Sequence, residues 1–296
     1  MKLVLSIVLG MALTAQAAFC DDAVVPSYSD VAYSSLSKSQ VCNVYLPASV
    51  THCPVIILVH GGGFAFGTQN DKLIQPVIRK ALTNSYAVFS VDYRKSSEAV
   101  FPGALADVKA CVRWVKANAE KYGINPDNIT IWGESAGAYL SVMTKLTPDA
   151  EALNGDVNDN ADYSSSVNNL VSFYAPVEFY TMDNEFNALN LPDCANHNKA
   201  DSFESKYLGQ ALNEDKAATY KTYWGSYTSG ETVGGKIWIQ AGTNDRNVPY
   251  TQSVNLAERL NGESLRYSLI DGAGHMDAAF YTDENLDAVF AFLGAE

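Results

Sequence analysis

The sequence predicts an α/β fold: a mostly parallel central sheet with helices on both faces. Three observations carry that reading. Short apolar runs rich in β-branched residues recur along the chain, at Val55–His60, Ala87–Val91, Asn128–Trp132, Leu170–Ala175 and Lys236–Ala241. They are continuous rather than alternating, as strands buried on both faces must be. Between them lie stretches of helical periodicity, so strand and helix alternate in the way that gives crossovers over a parallel sheet.

Taken in order, the chain opens on a leader. Lys2 supplies a positive end, Leu3–Leu13 an apolar core, and Ala15-Gln16-Ala17 an A-x-A cleavage site. Residues 1–17 therefore read as a secretory signal peptide, too short for a membrane anchor. Ala17-Ala18-Phe19 before Cys20 does not make a lipoprotein box, and no later run is long and apolar enough to span a bilayer, so a free secreted protein is expected. Residues 18–296 suit one large α/β domain with its own core. The formal charge of −13 disfavours nucleic acid and anionic membranes as partners. Five cysteines, Cys20, Cys42, Cys53, Cys111 and Cys194, follow the leader. In an oxidising compartment some should pair, although an odd number leaves at least one free. Cys42 and Cys53 flank a turn between two predicted strands and are candidates to face each other, whereas Cys111 reads as a buried thiol. None has metal-ligand spacing. Asn128-Ile129-Thr130 is an N-glycosylation sequon leading into a strand, so a glycan would sit at the strand's far end.

Val41–Leu46 and Val55–His60 are the first predicted strands, and the second runs into His60-Gly61-Gly62-Gly63-Phe64-Ala65-Phe66-Gly67. Three consecutive glycines leave backbone N–H groups unshielded, able to wrap an oxygen and donate to it. A phosphate loop would need Gly-Lys-Ser/Thr downstream, and none follows. His60 is expected to brace the loop. The strand Ala87–Val91 ends in Asp92-Tyr93-Arg94, and Phe101-Pro102-Gly103 opens a helix over about 104–122. Leu105, Val108, Cys111, Val112, Val115 and Ala119 share one face of it. Asp92 and Arg94 are expected to pair across this crossover, with Asp107 as a possible third member. Residues 149–169, rich in Asp, Asn and Ser, read as an exposed loop. From 178 to 235 the periodicity is poor and the aromatics are dense, as in a lid or a substrate-pocket insertion. Helices are expected over Val254–Leu260 and Leu286–Leu293, on either side of a last strand, Leu265–Ile270.

Gly133-Glu134-Ser135-Ala136-Gly137 sits between the strand Asn128–Trp132 and a run of helix formers, Ala136–Leu146. A serine on so tight a strand-to-helix turn projects its hydroxyl clear of the sheet, and the close backbone on either side calls for glycine. The helix start adds free N–H groups and the positive end of its dipole. Hydrolysing an ester needs an activated serine, a base for its proton, an acid to orient the base, and donors for the oxyanion. His60-Gly-Gly-Gly, Ser135, Asp245 and His275 each follow a predicted strand, where a parallel sheet gathers its functional groups. The chain order Ser, Asp, His is also the one this architecture uses. Asp271 and Asp277 lie too close to His275 in sequence to reach the imidazole's far side. Glu178 is a rival acid, and His52 and His197 read as exposed loop residues.

With these motifs the chain resembles the α/β-hydrolase superfamily, and within it the small HGGG-bearing serine esterases, hormone-sensitive-lipase-like and feruloyl- or acetylxylan-esterase-like. The resemblance rests on His60-Gly61-Gly62-Gly63-Phe64, Asp92-Tyr93-Arg94, Phe101-Pro102, Gly133-Glu134-Ser135-Ala136-Gly137, Gly242-Thr243-Asn244-Asp245 with Val248-Pro249, and Gly274-His275. It departs in having little sequence before the first core strand for an N-terminal cap, and Lys-Ser-Ser-Glu after Arg94. Both favour the secreted carbohydrate-esterase side. The resemblance implies an α/β-hydrolase fold, Ser135 as nucleophile, His275 as base, Asp245 as the acid, and an oxyanion hole from the N–H groups of Gly62, Gly63 and Ala136. Phe64, Phe66 and Glu134 are the candidate substrate-binding residues. No metal or organic cofactor is called for. The expected activity is a secreted carboxylic-ester hydrolase releasing acetyl or feruloyl groups from plant polysaccharide or small esters. A formamidase or other non-ester hydrolase, and a non-catalytic binding protein on the same fold, are the alternatives.

Overall fold

A computed structural model describes residues 23–48, 51–148, 150–213, 215–227, 233–260 and 264–294. The leader lies outside the described residues, as does Cys20. The elements run β1 (Tyr28–Ala32), β2 (Val41–Tyr45), β3 (Cys53–Val59), α1 (Gln75–Thr83), β4 (Ala87–Val91), α2 (Gly103–Ala117), α3 (Ala119–Tyr122), β5 (Ile124–Glu134) and α4 (Ala136–Leu146). They continue with β6 (Asn169–Phe173), α5 (Met182–Ala188), α6 (Phe203–Leu208), α7 (Lys216–Tyr220), β7 (Ile237–Gly242), α8 (Thr251–Arg259), β8 (Leu265–Ile270) and α9 (Asp283–Gly294). The eight strands of the described residues form one sheet in the order β1-β2-β4-β3-β5-β6-β7-β8. The β1–β2 and β2–β4 pairs are antiparallel and every other pair is parallel.

Both faces of the sheet are covered, which is why its central strands are apolar throughout. Val55, Ile57 and Val59 of β3 join a core cluster with Leu105, Val108 and Val112 of α2 and Leu140 and Met143 of α4. Ile56 and Leu58, pointing the other way, join Val77, Ile78 and Ala81 of α1 and Leu286, Val289 and Phe290 of α9. The period-two alternation thus separates two apolar sets rather than apolar from polar.

Three expectations are corrected. β4 lies between β2 and β3, so Cys42 and Cys53 do not face each other: Cys42 pairs with Val91, and Cys53 with Ile124. Cys42 instead meets Cys111 of α2, and burial together with that neighbour pushes the Cys111 thiol well up. Arg94 does not pair with Asp92. Its guanidinium grips Asp107 and Asp156 at 2.7–3.1 Å, while Asp92 takes His60 and Lys95. The 149–169 stretch is more than an exposed loop. Leu153 and Val157 are buried in it, and Arg113 donates to the carbonyls of Val157 and Asp159 at 2.8 and 3.0 Å.

Candidate active site

Five polar or flexible features converge where the parallel strands end: the glycine loop after β3, Ser135 after β5, Tyr174 after β6, Asp245 after β7 and His275 after β8. The turn from β5 into α4 is as tight as its sequence demands. Ser135 sits at φ 52, ψ −122, a region that a side chain occupies only at a cost. A Cβ on Gly137 would lie 2.2 Å from the Val59 carbonyl oxygen, and one on Gly133 would lie 2.2 Å from that of Gly137. The helix therefore crosses β3 at backbone contact, and any side chain at either glycine would push the serine off its turn.

His275 Nε2 lies 2.9 Å from Ser135 Oγ, and its Nδ1 lies 2.7 Å from Asp245 Oδ2. The other carboxylate oxygen of Asp245 accepts the N–H groups of Asn247 and Val248 at 2.8 and 2.9 Å. The Asp245 carboxylate is thereby fixed from two sides and buried, while the serine is 9 % exposed. Such a row can pass a proton from hydroxyl to imidazole and steady the charge that results.

The glycine loop closes on the same serine. A Cβ built on Gly61 would come within 3.2 Å of Ser135 Cβ. Gly62 and Gly63 hold φ of 111 and 58, and the Gly62 carbonyl accepts from Ala65 and Phe66 at 3.0 and 2.9 Å. His60 braces the entry: its Nδ1 faces the Gly61 carbonyl at 2.7 Å and its Nε2 faces Asp92 at 3.1 Å, with Tyr93 stacked on the ring. Burial pushes Asp92 up, but His60 and Lys95 outweigh it and hold the carboxyl below the usual range. Ala136 opens α4, so its N–H has no acceptor within the helix.

The candidate substrate-binding residues separate. Phe66 is 64 % exposed, edge-on to the half-exposed Phe203, whose ring covers Gly63. Phe64 is buried at 1 %, stacked on Tyr207 at 4.0 Å and packed against Tyr139 and Phe179. It anchors the loop and presents no surface to a ligand. Glu134 is buried too, at 2 %, on the sheet side of the serine turn. Burial, with Asp71 adding to it, pushes its carboxyl up to about 8 against a bond from Tyr281. Glu134 ends an extended strand, whose alternation turns it inward, whereas Phe64 is turned inward by the tight glycine loop, where its own φ is 60.

Glu178 is not near the imidazole. Its carboxylate takes Arg259 at 2.8 Å. Asp271 accepts from the Thr243 hydroxyl, and Asp277 caps the turn after His275 through Gly274 N and Ala279 N. His197 is the opposite of its expectation: it is 6 % exposed, with Asp183 on Nδ1 at 2.9 Å and the Asn247 carbonyl on Nε2 at 3.0 Å. Sequence reasoning also passed over Tyr174 and Tyr281. Tyr174 follows β6 as the other site residues follow their strands, a signal hidden because the run continues apolar to Ala175. The 178–235 segment docks on the glycine loop and α4 through buried Phe179, Met182 and Tyr207, and Tyr139 donates to the Thr222 carbonyl at 2.7 Å.

Fold and site together define an α/β-hydrolase of the serine-esterase kind. The BD-FAE family profile matches residues 42–260, and the chain belongs to that family of esterases. A carboxylesterase of Mycobacterium tuberculosis, NlhH, is 36 % identical over 121 residues, 40 % of this chain and 37 % of its own length. The esterase LipQ of the same species is 29 % identical over 128 residues, 42 % of this chain and 30 % of its own. The aligned stretch thus spans about a third of these curated relatives. Among solved structures, a truncated carbohydrate esterase from gut microbiota superposes with a TM-score of 0.79 at 24 % identity, covering 92 % of this chain and 96 % of that one. An acetyl ester-xyloside bifunctional hydrolase from Caldicellulosiruptor lactoaceticus gives 0.69 at 18 % identity, covering 91 % and 96 %. At these identities the structural likeness speaks for the fold.

Proposed function

We propose that the protein is a secreted serine esterase that releases acetyl or feruloyl groups from plant polysaccharide or from small esters. The observation that carries the reading is the imidazole of His275, 2.9 Å from a strained serine hydroxyl and 2.7 Å from a buried carboxylate. In this reading Ser135 Oγ attacks the acyl carbon as His275 Nε2 takes its proton. The N–H groups of Gly62, Gly63 and Ala136 hold the oxyanion, each worth roughly 2.7–4 kcal/mol. His275 then protonates the leaving alcohol, and a water activated by the same nitrogen cleaves the acyl-enzyme. Asp245 keeps Nδ1 protonated throughout. The carbohydrate-esterase neighbours support a sugar ester, and the exposed Phe66–Phe203 pair beside the glycine loop offers aromatic faces for a ring. Secretion rests on the leader-like residues 1–17.

Fluorophosphonate labelling of Ser135 tests the nucleophile. kcat/KM from acetate to octanoate esters, set beside methyl ferulate and acetylated xylan, tests the substrate. Each methylene buried in an apolar tunnel is worth about 0.8 kcal/mol, so a monotonic rise with chain length means a lipid-tail pocket and overturns the carbohydrate-ester reading.

A further inference from the structure

Glu134 stands directly before the nucleophile and has no part in the relay. Its side chain is 2 % exposed, its Oε1 has no hydrogen-bond partner among the described residues, and the Tyr281 hydroxyl bonds to its carboxyl. Tyr281 bonds in turn to the Tyr174 hydroxyl at 2.5 Å. The ring of Tyr174 packs edge-on against the His275 imidazole, with centroids 4.8 Å apart. Tyr174 itself is held at φ 44, in a left-handed conformation that tyrosine rarely adopts, with its N–H on the Gln240 carbonyl at 2.7 Å. A continuous path thus runs beneath the site, from the residue preceding the nucleophile to the ring behind the base.

The path is built for an uncharged acid. A carboxylate there would need donors for both oxygens, and Oε1 has none. The other titratable groups facing this cluster are the carboxyls of Asp71 and Asp245 and, against the Tyr174 ring, the His275 imidazole, and each tyrosine in it is pushed up by burial first and by Glu134 next. We infer that Glu134 is a positioning residue that works in its neutral form, tying Tyr281 and Tyr174 into the wall that sets the His275 ring, and that its ionisation loosens this wall and lowers turnover at alkaline pH. An ionised Glu134 draws the nearest hydroxyls, those of Tyr281 and Tyr174, or draws water, and the packing on His275 goes with them.

The inference rests on the esterase reading, so its test carries a readout that does not. Acetate release by the full-length protein is followed by pH-stat, and thermal stability is measured over the same pH range. Wild type should lose kcat as pH rises past about 8, where burial has placed this carboxyl. Glu134→Gln, uncharged and nearly isosteric, should keep kcat within about threefold at pH 6 and hold it at least one unit further into the alkaline range. Tyr281→Phe should lower kcat without moving that limb to the Gln position. The raised carboxyl favours the unfolded chain progressively from the ordinary carboxyl range up to about 8. The Tm of Glu134→Gln should therefore draw ahead of wild type as pH rises and level off beyond that value. An alkaline limb identical in wild type and Glu134→Gln, or a folded Glu134→Gln with kcat at pH 6 as low as that of Glu134→Ala, overturns the inference. If wild type releases no acetate and Ser135 takes no fluorophosphonate while the Tm gap appears, it is the esterase reading that fails.

Discussion

Three of the four histidines sit on an aspartate, and comparing them shows where chemistry separates from bracing. His275 lies 2.7 Å from Asp245, His60 3.1 Å from Asp92, and His197 2.9 Å from Asp183. The difference is in what the other ring nitrogen meets. For His60 it is the Gly61 carbonyl, and for His197 the Asn247 carbonyl. A carbonyl has no proton to give, so these two pairs hold backbone: one the entry to the glycine loop, the other the loop that carries Asp245. His275 meets a hydroxyl, the pairing that the proposed reaction needs for its base. A histidine on a carboxylate is therefore no signature of catalysis. The third group decides.

The sharpest way to break the comparison is at the third group itself. Ser135→Ala or His275→Ala should cut kcat by about 10⁴-fold or more while Tm stays near wild type, since both sit at a strand end outside the core. Asp245→Asn should cost about 10⁴-fold as well, because an amide favours the wrong tautomer of His275. Glu178→Gln, tied to Arg259 instead, should leave kcat within about tenfold. The measurement is kcat on a short ester with Tm alongside. A mild Asp245→Asn beside a severe Glu178→Gln would move the acid and dissolve the distinction.

At His60 the expected loss is in stability. Its ring is buried and stacked on Tyr93, and it helps to hold Asp92 below the usual carboxyl range. His60→Ala should cost roughly 3 kcal/mol, as breaking a buried pair does, seen as a lower denaturant midpoint. The sign of its pH dependence follows from the depressed Asp92. Such a carboxyl stabilises the fold above its unfolded value and loses that contribution as pH falls through its folded value. Without His60, Asp92 is held down less, so acid unfolding should begin at a higher pH than in wild type. A variant with wild-type stability and no turnover would place His60 in the chemistry instead.

Much of this was legible in the sequence, for identifiable reasons. Strands buried on both faces read as unbroken apolar runs, and Ser135, Asp245 and His275 each follow one. The glycines around Ser135 are forced because a Cβ at either would lie 2.2 Å from a carbonyl oxygen, a constraint strong enough to leave a motif. What escaped depended on side-chain direction or on long-range neighbours. Glu134 and Phe64 adjoin functional groups in sequence yet face inward, the one by the alternation of its strand and the other by the turn of the glycine loop. β1 is five residues long and mostly exposed, and α1, though amphipathic, is only nine residues long, so neither was recognised. The insertion of β4 between β2 and β3, which separates Cys42 from Cys53, is a matter of topology that local pattern does not record. His197 looked exposed because its partners lie away from it in sequence: Asp183 earlier in the aromatic segment, and Asn247 on the acid loop onto which that segment docks.

The smallest expected effect lies at that docking. His197 joins the 178–235 segment to the loop of Asp245 through one bond to the Asn247 carbonyl, and its ring stacks on Phe186 with centroids 5.6 Å apart. Replacing it by Gln removes the stack and two ring bonds. Asp183 keeps the backbone N–H groups of His197 and Asn198 at 2.8 and 3.0 Å, and Asp245 keeps those of Asn247 and Val248. Burial pushes Asp183 up, but those two N–H groups outweigh it together with the ring, so its carboxyl should stay low in the variant. The acid limb of stability, lost as pH falls through that carboxyl, should then move only slightly. A cost of about 1–2 kcal/mol in stability is expected, with kcat down a few-fold, because the acid loop loses one tether of several. Loss of kcat approaching that of Asp245→Asn would mean that the second histidine pair sets the catalytic acid. The line between bracing and chemistry would then run through the Asn247 carbonyl rather than through the serine.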